Sequence, residues 1–321
     1  MRILIRLLVL FVACPLFAAE PAETGAPRVV SYVADWTDAA RARTVPYRVY
    51  QPAAATGRCP VILFSHGLGG TRDGYAYLGQ AWAAHGYLVV HLQHPGSDDA
   101  AWRGSGDPMA SLKRAVADPR LALDRAKDVT FALDQLSRDA RLSALADTNR
   151  MGIAGHSFGS WTVLAAAGQR LGPLGDQLAD RRLKAGLAMS SPVPRRLHDD
   201  TYRAITMPLL HMTGTADVSP VSDTTATQRR VPYDRIAAAH QYLVTFEGGD
   251  HMIFSGRPRA VADPRDADFQ SLIVHGSLAF WDAWLRDDAV ARKWLEGGGY
   301  AEALGARAVF EQKGGASVPA R

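Results

Sequence analysis

The 321-residue sequence holds only two cysteines, Cys14 and Cys59. Should an ordinary signal peptidase remove the first, no disulfide is available. Cys59 precedes Pro60 at the entrance to an apolar strand and reads as a buried structural thiol. No dense basic run exists either. The formal charge of +4 is spread over scattered arginines, with pairs such as Arg195-Arg196 and Arg229-Arg230, which argues against a nucleic-acid partner. No apolar run is long enough to cross a bilayer, and no internal repeat is present.

The longest apolar stretch near the start, Leu7 to Ala13, follows Arg2 and Arg6 and precedes the small residues Ala18 and Ala19. Residues 1–19 therefore read as a secretory signal, with Glu20 to Pro27 as a flexible start of the mature chain, exported to the periplasm or beyond. A lipoprotein site at Cys14 is the second reading, against which stands Phe11 three residues earlier. With 47% hydrophobic and 21% charged residues the chain can bury one large core. One domain over residues 28–296 is expected, followed by a Gly/Ala-rich extension, 297–321, that is partly flexible and frays beyond Glu311.

Strand and helix patterns alternate along that domain. Val29 to Val33 and Pro46 to Tyr50 read as opening antiparallel strands joined near Asp38. Val61 to Ser65, Leu88 to Gln93, Met151 to Gly155, Ala185 to Ser190, Leu209 to Thr213 and Tyr242 to Phe246 are short apolar runs of the kind buried in parallel sheets. Between them, Gly74 to His85 ends at a helix-capping Gly86. Asp118 and Pro119 open a helix whose Ala122, Ala126, Val129, Leu133 and Leu136 form one face. Phe158 to Gly168 is a small-residue helix, and Phe269, Leu272, Ile273, Phe280 and Trp284 stripe a late one. The expected fold is α/β, a mostly parallel, doubly wound sheet of about eight strands with helices on both faces.

Gly155-His156-Ser157-Phe158-Gly159 carries the clearest chemistry. The string sits between a strand and a helix, the setting of a nucleophile elbow, where the serine takes a strained backbone and the flanking glycines avoid collision. The plain alternative, a glycine-rich turn with a solvated serine, does not account for that setting. A serine hydroxyl needs a base and an orienting acid. Both are expected after later strands, in the order Ser, acid, His. The strand from Leu209 runs into Gly214-Thr215-Ala216-Asp217, and the strand from Tyr242 into Gly248-Gly249-Asp250-His251, so Asp217 and His251 fill the vacancies.

His240 and His275 are rivals for the base but stand before a strand and within a helix. Asp223 and Asp250 are rivals for the acid, and Asp250 adjoins His251 and should point away from it. The position after the preceding strand, Ser190-Ser191-Pro192, has no carboxylate. A structural turn aspartate is the alternative role for Asp217. Oxyanion donors are expected from the backbone N–H of Phe158 and, in the loop Ser65-His66-Gly67-Leu68-Gly69-Gly70, from Leu68. His66 reads as a structural hydrogen-bonding residue. His91, His94, Asp98 and Asp99 do not match a metal-site spacing and read as loop structure.

Phe64 to Gly70, Ala84-His85-Gly86-Tyr87 leading to Gln93-His94-Pro95-Gly96-Ser97-Asp98, and Gly155 to Gly159 together resemble bacterial hydrolases similar to platelet-activating-factor acetylhydrolases and dienelactone hydrolases. The likeness runs over much of residues 28 to 290. It implies an α/β-hydrolase fold, esterase or lipase activity on a small-molecule or lipid-like ester, no cofactor and no metal, with Leu68 and Phe158 as oxyanion donors. An acid after Thr213 departs from the animal acetylhydrolases, whose acid follows the earlier strand, and is closer to bacterial cutinases and polyester hydrolases. Amide hydrolysis, acyl transfer, or a non-catalytic binding role on the same fold stay open. Substrate choice is left to the segments Gly96 to Asp118, Pro192 to Thr206 and Val218 to Ala238.

Overall fold

The computed structural model describes residues 28–194, 196–259 and 261–315. The leader read in residues 1–19, with Cys14, lies outside them. In chain order the main elements are β1 (Val29–Asp38), β2 (Arg43–Pro52), β3 (Cys59–Ser65), α1 (Ala76–Ala84), β4 (Leu88–Leu92), α2 (Pro108–Ala117), α3 (Pro119–Gln135), β5 (Ala146–His156) and α4 (Phe158–Ala167). They continue with β6 (Leu183–Met189), β7 (Leu209–Ala216), α5 (Val231–Arg235), β8 (Gln241–Asp250), α6 (Asp266–Leu285), α7 (Ala289–Glu296), α8 (Gly299–Leu304) and β9 (Ala308–Lys313).

The strands form one sheet in the order β1-β2-β4-β3-β5-β6-β7-β8-β9. The five pairings from β4 to β8 are parallel, and the pairings at both edges are antiparallel. Parallel neighbours require crossovers, and the intervening helices cover both faces. Side-chain alternation divides the core. Ile62 and Phe64 of β3 pack with Trp82 of α1 and Phe280 and Trp281 of α6, whereas Val61 and Leu63 pack with Val129 and Leu133 of α3 and Val163 of α4. The apolar runs therefore read as unbroken because both of their faces are buried.

Local signals act where they were read. Asp118 caps α3 through Arg120 N–H with Pro119 in the first turn, and Gly86 and Gly168 take left-handed φ of 93° and 117°. The expectation for the tail requires correction. Residues 299–313 form α8 and β9, and β9 pairs with β8 from Phe246↔Ala308 to Gln241↔Lys313. Tyr300 and Leu304 are fully buried, so the domain extends past 296 and ordered strand runs beyond Glu311. The sheet gains a ninth strand that protects the β8 edge. The segment Gly96 to Asp118 also has its own helix, α2, capped by Asp107 onto Ala110 N–H.

Because β3, β5, β6, β7 and β8 run parallel, their carboxyl ends share one edge of the sheet. Ligands of such sheets bind in the crevice outside those ends. No helix among the described residues is long and apolar enough to cross a membrane.

Candidate active site

Ser157 stands between β5 and α4 with φ 56° and ψ −117°, a region disfavoured for any residue with a Cβ. The turn that imposes it is crowded. A Cβ on Gly155 would lie 2.3 Å from the Gly159 carbonyl oxygen, and one on Gly159 would lie 1.9 Å from that of Ser65. Both glycines are therefore fixed by backbone contact. The second contact also presses the start of α4 against the end of β3. Ser157 N–H donates to Met189 O at 2.9 Å, tying the turn to β6.

The chain order Ser, Asp, His becomes a spatial relay. His251 Nε2 is 3.0 Å from Ser157 Oγ, and His251 Nδ1 is 2.8 Å from Asp217 Oδ1. A carboxylate beside Nδ1 favours the tautomer with its proton there, the arrangement in which Nε2 can accept from a neighbouring hydroxyl. Asp217 is wholly buried, and burial alone would raise its pKa. The hydrogen bond to His251, the charge of Arg229 and the Ser190 hydroxyl outweigh burial and hold it below the ordinary carboxylate value. Thr213 Oγ1 donates to the other carboxylate oxygen at 3.0 Å.

Ser190, read in the sequence only as the end of a strand without a carboxylate, and Arg229, noted only in an arginine pair, were not read as site residues. Ser190 Oγ donates to Asp217 Oδ1 at 2.8 Å and lies 2.7 Å from His251 Nδ1. Its φ of 59° turns the chain at the end of β6 so that the side chain reaches this spot. The position lacks a carboxylate, as the sequence showed, yet it supports the one supplied by the next strand. Arg229, in the short turn Thr227–Arg230, pairs with Asp217 at 2.9 Å and donates to Ser190 O at 2.8 Å.

The rivals are engaged elsewhere. Asp250 pairs with Arg259 at 2.6 Å, the His240 ring packs on Trp284, and His275 is exposed on α6. His66 accepts His94 N–H through Nε2 at 3.1 Å, and its Nδ1 meets Gly67 O at 2.6 Å. His94 bridges Ser65 Oγ and Asp128, both at 3.0 Å, while His91 bonds Gly74 O. Among the described residues no group of His, Cys, Asp and Glu is arranged to hold a metal ion.

In the loop after β3, Gly69 N–H donates to Ser97 O, Gly70 N–H to Gly67 O, and Gly67 N–H to Tyr75 Oη. Among the described residues the amides of Leu68 and Phe158 have no such acceptor. Tyr75 Oη also lies 2.8 Å from His156 Nδ1. The His156 ring packs 4.7 Å from that of His251, and burial keeps it neutral by pulling its pKa well below the usual imidazole value. The His251 ring thus rests on an uncharged buried ring.

Comparison with known proteins agrees with this architecture. Residues 37–107 match the family model described as platelet-activating factor acetylhydrolase, isoform II, a segment that holds β3 and the Leu68 loop. Similar proteins include the platelet-activating factor acetylhydrolases of Cavia porcellus, 25% identical over 51% of this chain and 42% of that protein, and Canis lupus familiaris, 26% over 52% and 42%. A probable 1-alkyl-2-acetylglycerophosphocholine esterase of Arthroderma benhamiae is 27% identical over 40% of this chain and 30% of its own length. The chain thus spans less than half the length of these relatives. Over the matched part it is similar to the platelet-activating factor acetylhydrolases, and its sheet is that of an α/β-hydrolase.

Proposed function

We propose that this protein is an exported serine hydrolase that cleaves carboxylic esters through an acyl-enzyme on Ser157, with His251 as general base and acid and Asp217 as its orienting acid. The observation that carries the reading is the relay itself, 3.0 Å from serine to histidine and 2.8 Å from histidine to a buried carboxylate, ending at a strained serine. In the cycle, His251 takes the proton of Ser157 as Oγ attacks the ester carbonyl. It then gives that proton to the departing alcohol. Water activated by the same nitrogen hydrolyses the acyl-enzyme.

Negative charge on the carbonyl oxygen is received by the N–H groups of Leu68 and Phe158. Each such donor contributes about 10² to 10³ in rate at related sites. The substrate we propose is a lipid-like ester with a short acyl group, in keeping with the acetyl esters in the relatives' names. Hydrolysis of p-nitrophenyl esters from acetyl to long acyl chains, beside the matching anilides, tests the reading. We expect turnover that is greatest for acetyl, weak on anilides and lost in Ser157→Ala. Preference for anilides would overturn the ester assignment, and a fully active Ser157→Ala would overturn the mechanism. Export is tested by fractionating cells that express the full chain, with the mature protein expected outside the cytoplasm.

A further inference from the structure

Arg125 of α3 is completely buried, yet among the described residues no carboxylate pairs with it. Asp128, one turn further on, is occupied by Arg41, Arg43 and His94. A buried cation without a directly paired carboxylate is costly unless its donors are all directed at good acceptors, even with Asp128 and Asp98 near enough to favour its charge. Here the guanidinium donates from Nε to Thr162 Oγ1 at 3.1 Å, from Nη1 to Ser97 Oγ at 2.9 Å, and from Nη2 to Ser65 Oγ at 3.0 Å and to His66 O. Its Cζ lies 4.6 Å from the centre of the Phe158 ring, over the ring face. Burial draws its pKa down to about 9, still above neutral pH, so it remains charged.

Every one of these partners belongs to a segment that sets an oxyanion amide. Ser65 and His66 lead directly into Leu68. Ser97 accepts Gly69 N–H through its carbonyl at 2.9 Å, holding the other side of the same loop. Thr162 donates its hydroxyl to Phe158 O at 3.2 Å and so closes the first turn of α4. A planar five-donor fork can join three segments in fixed relative orientation, which a flexible ammonium cannot.

We infer that Arg125 is a positioning residue for the oxyanion hole: its guanidinium fork ties the loop after β3, the loop after β4 and the first turn of α4 together, so that the Leu68 and Phe158 amides converge on one point. The inference rests on the ester-hydrolase reading above. Tetrahedral charge forms only in the transition state, so an interaction serving the hole raises kcat and leaves ground-state binding nearly unchanged.

The test compares wild type, Arg125→Met, Arg125→Lys and Thr162→Val with p-nitrophenyl acetate. Its second readout is inhibition by a methyl trifluoromethyl ketone, whose adduct with Ser157 holds a tetrahedral oxyanion. Arg125→Met is expected to lose about 10²-fold in kcat with KM within about threefold, and ketone affinity should weaken in step with kcat/KM. Arg125→Lys should remain at least about tenfold impaired, because charge without the fork does not hold the loops. Thr162→Val, which is read in the same way should the Arg125 variants not fold, is expected to lose about fivefold in kcat. Wild-type kcat in either Arg125 variant, or in Thr162→Val, overturns the inference, as does a fall in kcat that leaves ketone affinity unchanged. An inactive wild type that fails to bind the ketone overturns the ester-hydrolase reading and this inference together. An active wild type matched by its variants overturns this inference alone.

Discussion

Two buried arginines flank the candidate site, and they solve the same physical problem in different ways. Arg229 meets a carboxylate, Asp217, at 2.9 Å, so the two charges compensate one another on the acid side. Arg125 meets only hydroxyls, a carbonyl and an aromatic face, so its charge is shared among neutral dipoles on the oxyanion side. A compensated pair is a structural commitment: removing one partner strands the other in low dielectric. A cation with no direct ion-pair partner, gripping several segments while Asp128 acts on it only through space, instead makes the geometry of those segments depend on it. The acid side is therefore expected to fail by losing stability, and the oxyanion side by losing rate.

The largest expected effect lies at the centre of the relay. Asp217→Asn should lower kcat by about four orders of magnitude, because an amide no longer dictates the imidazole tautomer, and should also lose stability, because Arg229 is left buried without its carboxylate. Steady-state rates on p-nitrophenyl acetate measure this, and a loss under tenfold would remove Asp217 from the relay. Arg229→Met comes next. It leaves the buried Asp217 carboxylate without its cationic partner, and urea denaturation should show a loss of up to about 3–5 kcal/mol. If Arg125→Met proved the more destabilising of the two while leaving kcat intact, the contrast between the two sides would be reversed.

Proton linkage sharpens the same contrast with a smaller effect. His66, His91, His94, His156 and His211 are buried, and burial lowers each pKa, to about 3 for His91 and about 4 for His94 and His211. Their folded values lie below the unfolded one of about 6.5, so the unfolded chain binds more protons as pH falls and stability drops with it. Each should contribute a slope approaching about 1.4 kcal/mol per pH unit below that value. Asp217, also lowered, contributes stability that is lost only as pH falls below about 4. Urea midpoints from pH 7.5 to 4.5 should therefore decline well before any carboxylate titrates, and His211→Gln should flatten the slope. Constant stability down to pH 4.5 would contradict this. The smallest expected change is Ser190→Ala, about 1 kcal/mol for one hydrogen bond to Asp217, read from the same denaturation curves.

Much of this was legible from the residues. Ser157, Asp217 and His251 each follow an apolar run, and parallel strands bring such positions to one edge, so chain order was enough to nominate them. Leu68 and Phe158 followed from the glycine loop and the elbow. Arg125 was not legible, because one arginine beside an amphipathic face reads as solvated until the loops after β3 and β4 close over it. Arg229 sits in an Arg-Arg pair, and nothing in its neighbours marks one of the two as buried against a carboxylate. Ser190 was noted for the carboxylate it lacks, while its use depends on a left-handed turn that no local residue signals. β9 was missed because a short edge strand in a Gly/Ala-rich tail has little pattern of its own, and it is ordered by pairing with β8.

The central claim is a covalent intermediate on Ser157, and the most direct measurement is intact and peptide mass spectrometry after rapid acid quench of the enzyme with p-nitrophenyl acetate. The account predicts one acetyl group per chain on the peptide containing Ser157, formed with a matching burst of p-nitrophenol and absent in Ser157→Ala. A burst-free reaction with no acetylated serine, or acetylation that persists in Ser157→Ala, would contradict it.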